Sequence, residues 1–147
     1  MFLDIFRCGI NEIKYIKDAI SNVKSEEDAC SFNEEAIKKF LINEDNWFYV
    51  ATEDEKVVAY AIAYVQRRLD TTKNMICLYE IGTLKGCRKK GIAKRIINTI
   101  IEHGKLNDAM KIWIPTNTSN AAACALYRSI GAEEPGVKDE IIYTYRY

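Results

Sequence analysis

The chain has 147 residues, with 21 basic and 21 acidic side chains and 48% hydrophobic content. That length suits one domain with a real core, and the apolar content with only two prolines excludes a disordered chain. Zero net charge excludes a globally polycationic protein, yet it is a cancellation: residues 1–55 hold 13 acidic and 6 basic side chains, while residues 56–147 hold 8 acidic and 15 basic.

In chain order, FLDIFR (2–7) alternates as a first strand. Asn11 is positioned to cap a helix through Val23, with Ile13, Ile16, Ala19, Ile20 and Val23 on one face. KSEEDACSFN (24–33) reads as an acidic loop, and Asn33 caps a second helix to Ile42. WFYVATE and VVAYAIAYVQ, joined by a charged turn, form a β-hairpin. MICLYEIGTL (75–84), apolar on both faces, reads as a central strand. A helix follows from Ile92, with Ile96, Ile97, Ile100 and Ile101 on its buried stripe, then a strand KIWIPTN (111–117). An alanine-rich helix opens at Asn120 and ends at Gly131, and EIIYTYRY (140–147) is a last strand. This order predicts an α/β layered protein with helices on both faces of a mixed sheet.

The five cysteines are odd in number and show no C-x-x-C spacing, which argues against a zinc site or a disulfide framework. No metal is expected. Free thiols, the absence of an eighteen-residue apolar run and a non-secretory N-terminus together suggest the cytoplasm.

The chemistry concentrates in residues 85–95. Lys85, Arg88, Lys89, Lys90, Lys94 and Arg95 occur there without an acid, and Gly86 and Gly91 bracket a turn between a strand and a helix N-terminus. Unpaired first-turn N–H groups and the helix dipole favour an anion there, so the loop fits a phosphate or pyrophosphate. Neither a Walker A loop nor a G-x-G-x-x-G fingerprint is present. Glu80 is the informative acid, because a bare carboxylate inside an apolar strand is costly and its burial favours taking up a proton.

Arg88-Lys89-Lys90-Gly91-Ile92-Ala93 resembles the [RQ]-x-x-G-x-[GA] motif of GNAT-superfamily N-acetyltransferases. Asn120 to Tyr127 with Ile130-Gly131-Ala132 resembles that superfamily's N-x-x-A-x-x-L-Y-x-x-x-G-[FA] segment. Residues 34–135, and YEIGTLKGCRKKGIA in particular, are similar to type I aminoglycoside 3-N-acetyltransferases.

The resemblance implies a GNAT fold over residues 1–147, a mostly antiparallel sheet whose central strands splay. Acetyl-CoA would lie in the splay as co-substrate. The backbone of Ile81, Gly82 and Thr83 would pair with its pantetheine arm, and Gly82 would suit a bulge. Residues Arg88 to Ala93 would hold the pyrophosphate, with Lys89, Lys90 and Lys94 as outer charges and Asn120 on the cofactor arm. Tyr127 would protonate the leaving thiolate, and Glu80 would take a proton from the attacking amine. Cys87 and Cys124 would be bystanders.

The acceptor would be a small cationic amine, aminoglycoside-like or a polyamine, drawn by acids such as Glu26, Glu27, Asp28, Glu34, Glu35, Glu44 and Asp45. A protein N-terminal or lysine acetyltransferase, or a non-catalytic CoA-binding module, would carry the same motifs. Neither nucleic acid nor membrane is an expected partner, and the C-terminal strand could pair in a homodimer.

Overall fold

The computed structural model describes residues 2–136 and 142–147. Five strands, β1 (Leu3–Arg7), β2 (Asn46–Glu53), β3 (Lys56–Gln66), β4 (Asn74–Thr83) and β5 (Ala109–Trp113), form one sheet in sequence order. The first three pairings are antiparallel, whereas β4 and β5 are parallel. That parallel pairing needs a long crossover, supplied by helix α3 (Ile92–Leu106). The remaining helices are α1 (Ile13–Asp18), α2 (Glu34–Ile42) and α4 (Ala121–Ser129). The chain divides into two compact units, Met1–Pro115 and Thr116–Tyr147, and the whole sheet lies in the first.

Alternation along the strands separates two cores. Phe48, Val50, Val57 and Tyr60 pack with Ile16, Ala19 and Val23 of the first helical segment, and Ile37, Phe40 and Leu41 of α2 close over them. On the opposite face, α3 buries Ile92, Ile96, Ile97 and Ile100. There the Tyr49 hydroxyl meets His103 Nδ1 at 2.6 Å, and Gly104 lets α3 approach Ile76.

The first helical segment is less regular than its periodicity predicts. Asn11 is not its cap: Glu12 reaches back to accept the Gly9 N–H at 2.9 Å, and α1 starts at Ile13. A π turn at Ala19–Val23 follows α1, and a 3₁₀ turn occupies Lys24–Glu26, inside what reads as loop. One extra residue in a helical turn rotates everything after it by about 100°. Asn33 does cap α2, accepting the Ala36 N–H at 3.0 Å.

Two other elements differ from expectation. The fifth strand spans Ala109–Trp113 and stops short of 114–117. Of the expected last strand, residues 140 and 141 lie outside the described residues, and Ile142–Tyr147 are exposed and form no strand. Alternation marks a segment able to join a sheet, but a strand exists only where an edge receives it.

Candidate active site

The sheet opens where the family pattern requires. β4 is ten residues long, but β5 pairs only with Asn74–Cys77. On that side residues 78–83, including Ile81, Gly82 and Thr83, have no strand partner among the described residues. An extended ligand arm can add to such an edge.

A β-bulge aims Glu80. Ile62 pairs with Glu80, yet Ala63 pairs with Leu78, so Tyr79 is the extra residue. Without it, Glu80 would share Leu78's face towards α3. The insertion turns Glu80 onto the face of Ile62, under the first helical segment. The bulge is therefore at Tyr79 and not at Gly82.

Gly82 has a different task. It pairs with Tyr60, and a Cβ there would lie 2.6 Å from Tyr60 Cε1. The missing side chain lets the Tyr60 ring lie flat across the strand, stacked on Phe48 with centroids 5.8 Å apart. From there the Tyr60 hydroxyl donates to Glu80 Oε2 at 2.8 Å. Gly82→Ala should displace that ring, which Phe48 blocks from retreating. It is expected to lower stability by about 1–3 kcal/mol and to disturb Glu80, as denaturant melts and acceptor kcat/KM will read.

Glu80 Oε1 accepts from Lys24 Nζ at 2.7 Å, and Lys24 also reaches Asp28 at 3.3 Å. Sequence reasoning missed both Lys24 and Tyr60. Lys24 falls in a segment that reads as loop, and Tyr60 looks like ordinary strand core. Partial burial pulls the Lys24 pKa down, but the hydrogen bond and charge of Glu80, helped by Asp28, outweigh it and hold it above the ordinary 10.5. A raised lysine pKa stabilises the fold fully below the unfolded value, and that contribution disappears as pH rises through the folded value. The melting temperature of Lys24→Met should thus lie below the native protein's at neutral pH, with the gap closing as pH rises through the folded lysine's pKa.

Tyr60's hydroxyl pKa is raised strongly, first by burial and then by its bond to Glu80. It is a fixed donor to the carboxylate. Glu80 thus keeps an exposed fraction of 27% with one bond on each oxygen, and a carboxylate's further lone pairs leave room for an incoming ammonium or water.

The basic loop follows directly. Lys85–Cys87 make a 3₁₀ turn, and Lys89 and Gly91 have φ of 61° and 76°. Gly91 is the N-cap of α3 and offers no capping side chain. The first intrahelical bond is Arg95 N–H to the Gly91 carbonyl at 3.1 Å, so the amides of Ile92 and Ala93 open the helix ahead of it. A Cβ built at Gly86 or Gly91 meets nothing within 4 Å, so a bulky anion has room to approach. These features and the free β4 edge fit acetyl-CoA.

The acidic half of the chain reaches this loop. Glu26 accepts the Lys85 N–H at 2.8 Å, and Glu27 forms an ion pair with Arg88, whose Nε also donates to the Thr83 carbonyl. Arg88 thereby ties the loop to the end of β4. Glu34 and Glu35 pair with Lys38 and Lys39, and Asp45 with Arg67. Much of the acidic excess is neutralised within the protein.

Asn120 and Tyr127 belong to the second unit. The Asn120 side chain accepts the Ala123 N–H at 3.0 Å and caps α4. Tyr127 is half-buried, and burial, then the nearby Cys124, raises its hydroxyl pKa. Burial also pushes the Cys8 thiol up to about 12, aided by Glu12. All five cysteines are free thiols. Among the described residues no acidic, His or Cys cluster could hold a metal ion, and no helix is long and apolar enough to cross a membrane.

Residues 14–132 match the acetyltransferase (GNAT) family model. The chain belongs to the GNAT acetyltransferase family. It is 25% identical over 107 residues to N-acetyltransferase 8 of Homo sapiens, covering 73% of this chain and 47% of that protein. It is 28% identical over 87 residues to the [ribosomal protein bS18]-alanine N-acetyltransferase of Salmonella typhimurium, covering 59% and 55%. The chain thus spans about half the length of these curated relatives.

Among solved structures, an aminoglycoside acetyltransferase from an uncultured soil metagenomic sample, in complex with sisomicin, superposes with a TM-score of 0.85 at 19% identity, covering 99% of this chain and 96% of that one. The ribosomal-protein-alanine N-acetyltransferase of Brucella melitensis follows at 0.80 and 17%, with both chains fully covered. At these identities the likeness is one of fold.

Proposed function

We propose that residues 1–147 form one acetyltransferase domain that moves an acetyl group from acetyl-CoA to the primary amine of a small cationic acceptor by direct attack. The observation that carries this reading is Glu80, turned by a bulge onto the helix-covered face and held by Tyr60 and Lys24 beside the free edge of β4.

Bound acetyl-CoA supplies the thioester and the thiol leaving group. The amides of Arg88 to Ala93 receive its pyrophosphate, with Lys89, Lys90 and Lys94 as surrounding charges, and the backbone of Ile81, Gly82 and Thr83 orients its arm. Asn120 lends its amide side chain to that arm while capping α4. Glu80 takes the proton that the amine loses as nitrogen bonds to the acetyl carbon. Tyr127, a phenol at neutral pH, gives a proton to the departing sulfur. Free thiols suit a reducing, cytoplasmic setting.

The aminoglycoside acetyltransferases among the structural neighbours support a small-molecule acceptor. The bS18-alanine N-acetyltransferases favour a second reading, acetylation of a protein N-terminus. A screen of acetyl-CoA turnover, read as free thiol, over aminoglycosides, polyamines, simple amines and N-terminal peptides tests both. Amine-dependent thiol release is expected. Tight acetyl-CoA binding without turnover on any amine would leave a CoA-binding module instead.

A further inference from the structure

The first helical segment, α2 and the face of β3 line a cavity of about 180 Å3 that opens to solvent. Ile20, Ile37, Phe40, Phe48, Ile62 and Tyr64 form most of its wall, and Lys24, Cys30, Ser31 and Tyr60 complete it. We propose that this cavity seats the acceptor's substituent, and that the acceptor is a primary amine carrying one ring-sized apolar group and no second cation. This rests on the reading of Glu80 as the group that receives the amine's proton.

Three observations converge. The first is size and surface: an apolar cavity of about 150 Å3 is enough to hold a benzene ring. An apolar wall with a few convergent polar groups is the ordinary form of a small-molecule site. The second is position. Lys24 and Tyr60 both line the cavity, and both hydrogen-bond Glu80. A ring in the cavity therefore brings an amine on a short linker to the carboxylate.

The third is charge. Among the described residues Lys24 is the cavity's one charged lining residue, and Glu80 and Asp28 hold it in place as an ammonium. No acid among them lines the cavity, since Glu34 and Glu35 of α2 are paired with lysines on their own helix. A second cation on the acceptor would face Lys24 without a carboxylate to receive it, which is a repulsive element against polyamines. The Glu80 carboxylate can share its ammonium partners between Lys24 and the acceptor, because Lys24 has Asp28 as its other anchor.

The test compares phenethylamine, a peptide with N-terminal Phe, ethylamine and spermidine as acceptors, alongside equilibrium binding of phenethylamine to the protein. Phenethylamine or the Phe peptide should exceed ethylamine in kcat/KM by at least about tenfold, and whichever is preferred identifies the source of the ring. Spermidine should rank below phenethylamine, and Lys24→Met should narrow that gap. Ile37→Trp, filling the cavity from a helix with no fully buried residue, should bring the phenethylamine-to-ethylamine ratio near one. Ile37→Ala should shift preference to the larger ring of tryptamine.

Preference for spermidine over phenethylamine, or a ratio unmoved by both Ile37 variants, overturns the assignment while leaving acetyl transfer standing. Saturable phenethylamine binding, lost in Ile37→Trp but without turnover on any amine, upholds the cavity and overturns the catalytic reading instead.

Discussion

Glu80→Gln is expected to lower kcat/KM for the acceptor amine by ~10²–10⁴-fold while leaving acetyl-CoA affinity within about twofold. The amide keeps the shape of the carboxylate and an oxygen for the Tyr60 hydroxyl, and Lys24 keeps Asp28 as a partner. What it cannot do is take up a proton. If Glu80 merely anchored the ammonium, the loss would fall on the acceptor KM, with kcat preserved. Steady-state kinetics at saturating acetyl-CoA separate the two roles, and an unchanged melting temperature shows that the loss is not unfolding.

Tyr127→Phe is the second large effect. Tyr127 is a phenol at neutral pH like any tyrosine, and burial raises its pKa further. Deleting the hydroxyl should reduce kcat by at least about 10²-fold with little change in either KM, because the donation serves the departing thiolate and not the bound ground state. Removing one hydroxyl at a half-buried position costs stability about 1 kcal/mol at most, so the rate loss will appear in folded protein. A Phe variant with native kcat would assign Tyr127 to packing alone.

The turn and the helix caps were legible because they depend on residues close in sequence. Gly91 adopts a left-handed conformation in the turn that the glycines mark, and Asn33 and Asn120 cap the helices that follow them. The stripe of Ile96, Ile97 and Ile100 reports its buried face directly. The face of Glu80 was not legible. It depends on one extra residue in β4, and a period-two pattern carries no mark of where that insertion falls.

Lys24 was hidden for a related reason, since a π turn rather than the regular period carries the helix to it. Gly82 stands out within its strand, but its purpose comes from the partner strand: only the register with Tyr60 shows what the missing side chain makes room for. The charge segregation also resolves differently from a simple acidic surface. Glu26 and Glu27 fasten the basic loop, Asp28 anchors Lys24, and the acids of α2 are spent on their own lysines. The acidic half acts largely as internal counter-charge.

Acetyl transfer to an amine with Glu80 as the proton acceptor has one chemical signature, the new bond between the acetyl carbon and the amine nitrogen. Its most direct measurement is the recovery of radiolabelled acetyl from acetyl-CoA on the nitrogen of a primary amine, by the native protein and by Glu80→Gln in parallel. Enzyme-dependent label on the amine is expected with the native protein, and a loss of ~10²-fold or more with the variant. Equal labelling by both proteins, or label released only as free acetate, would contradict it.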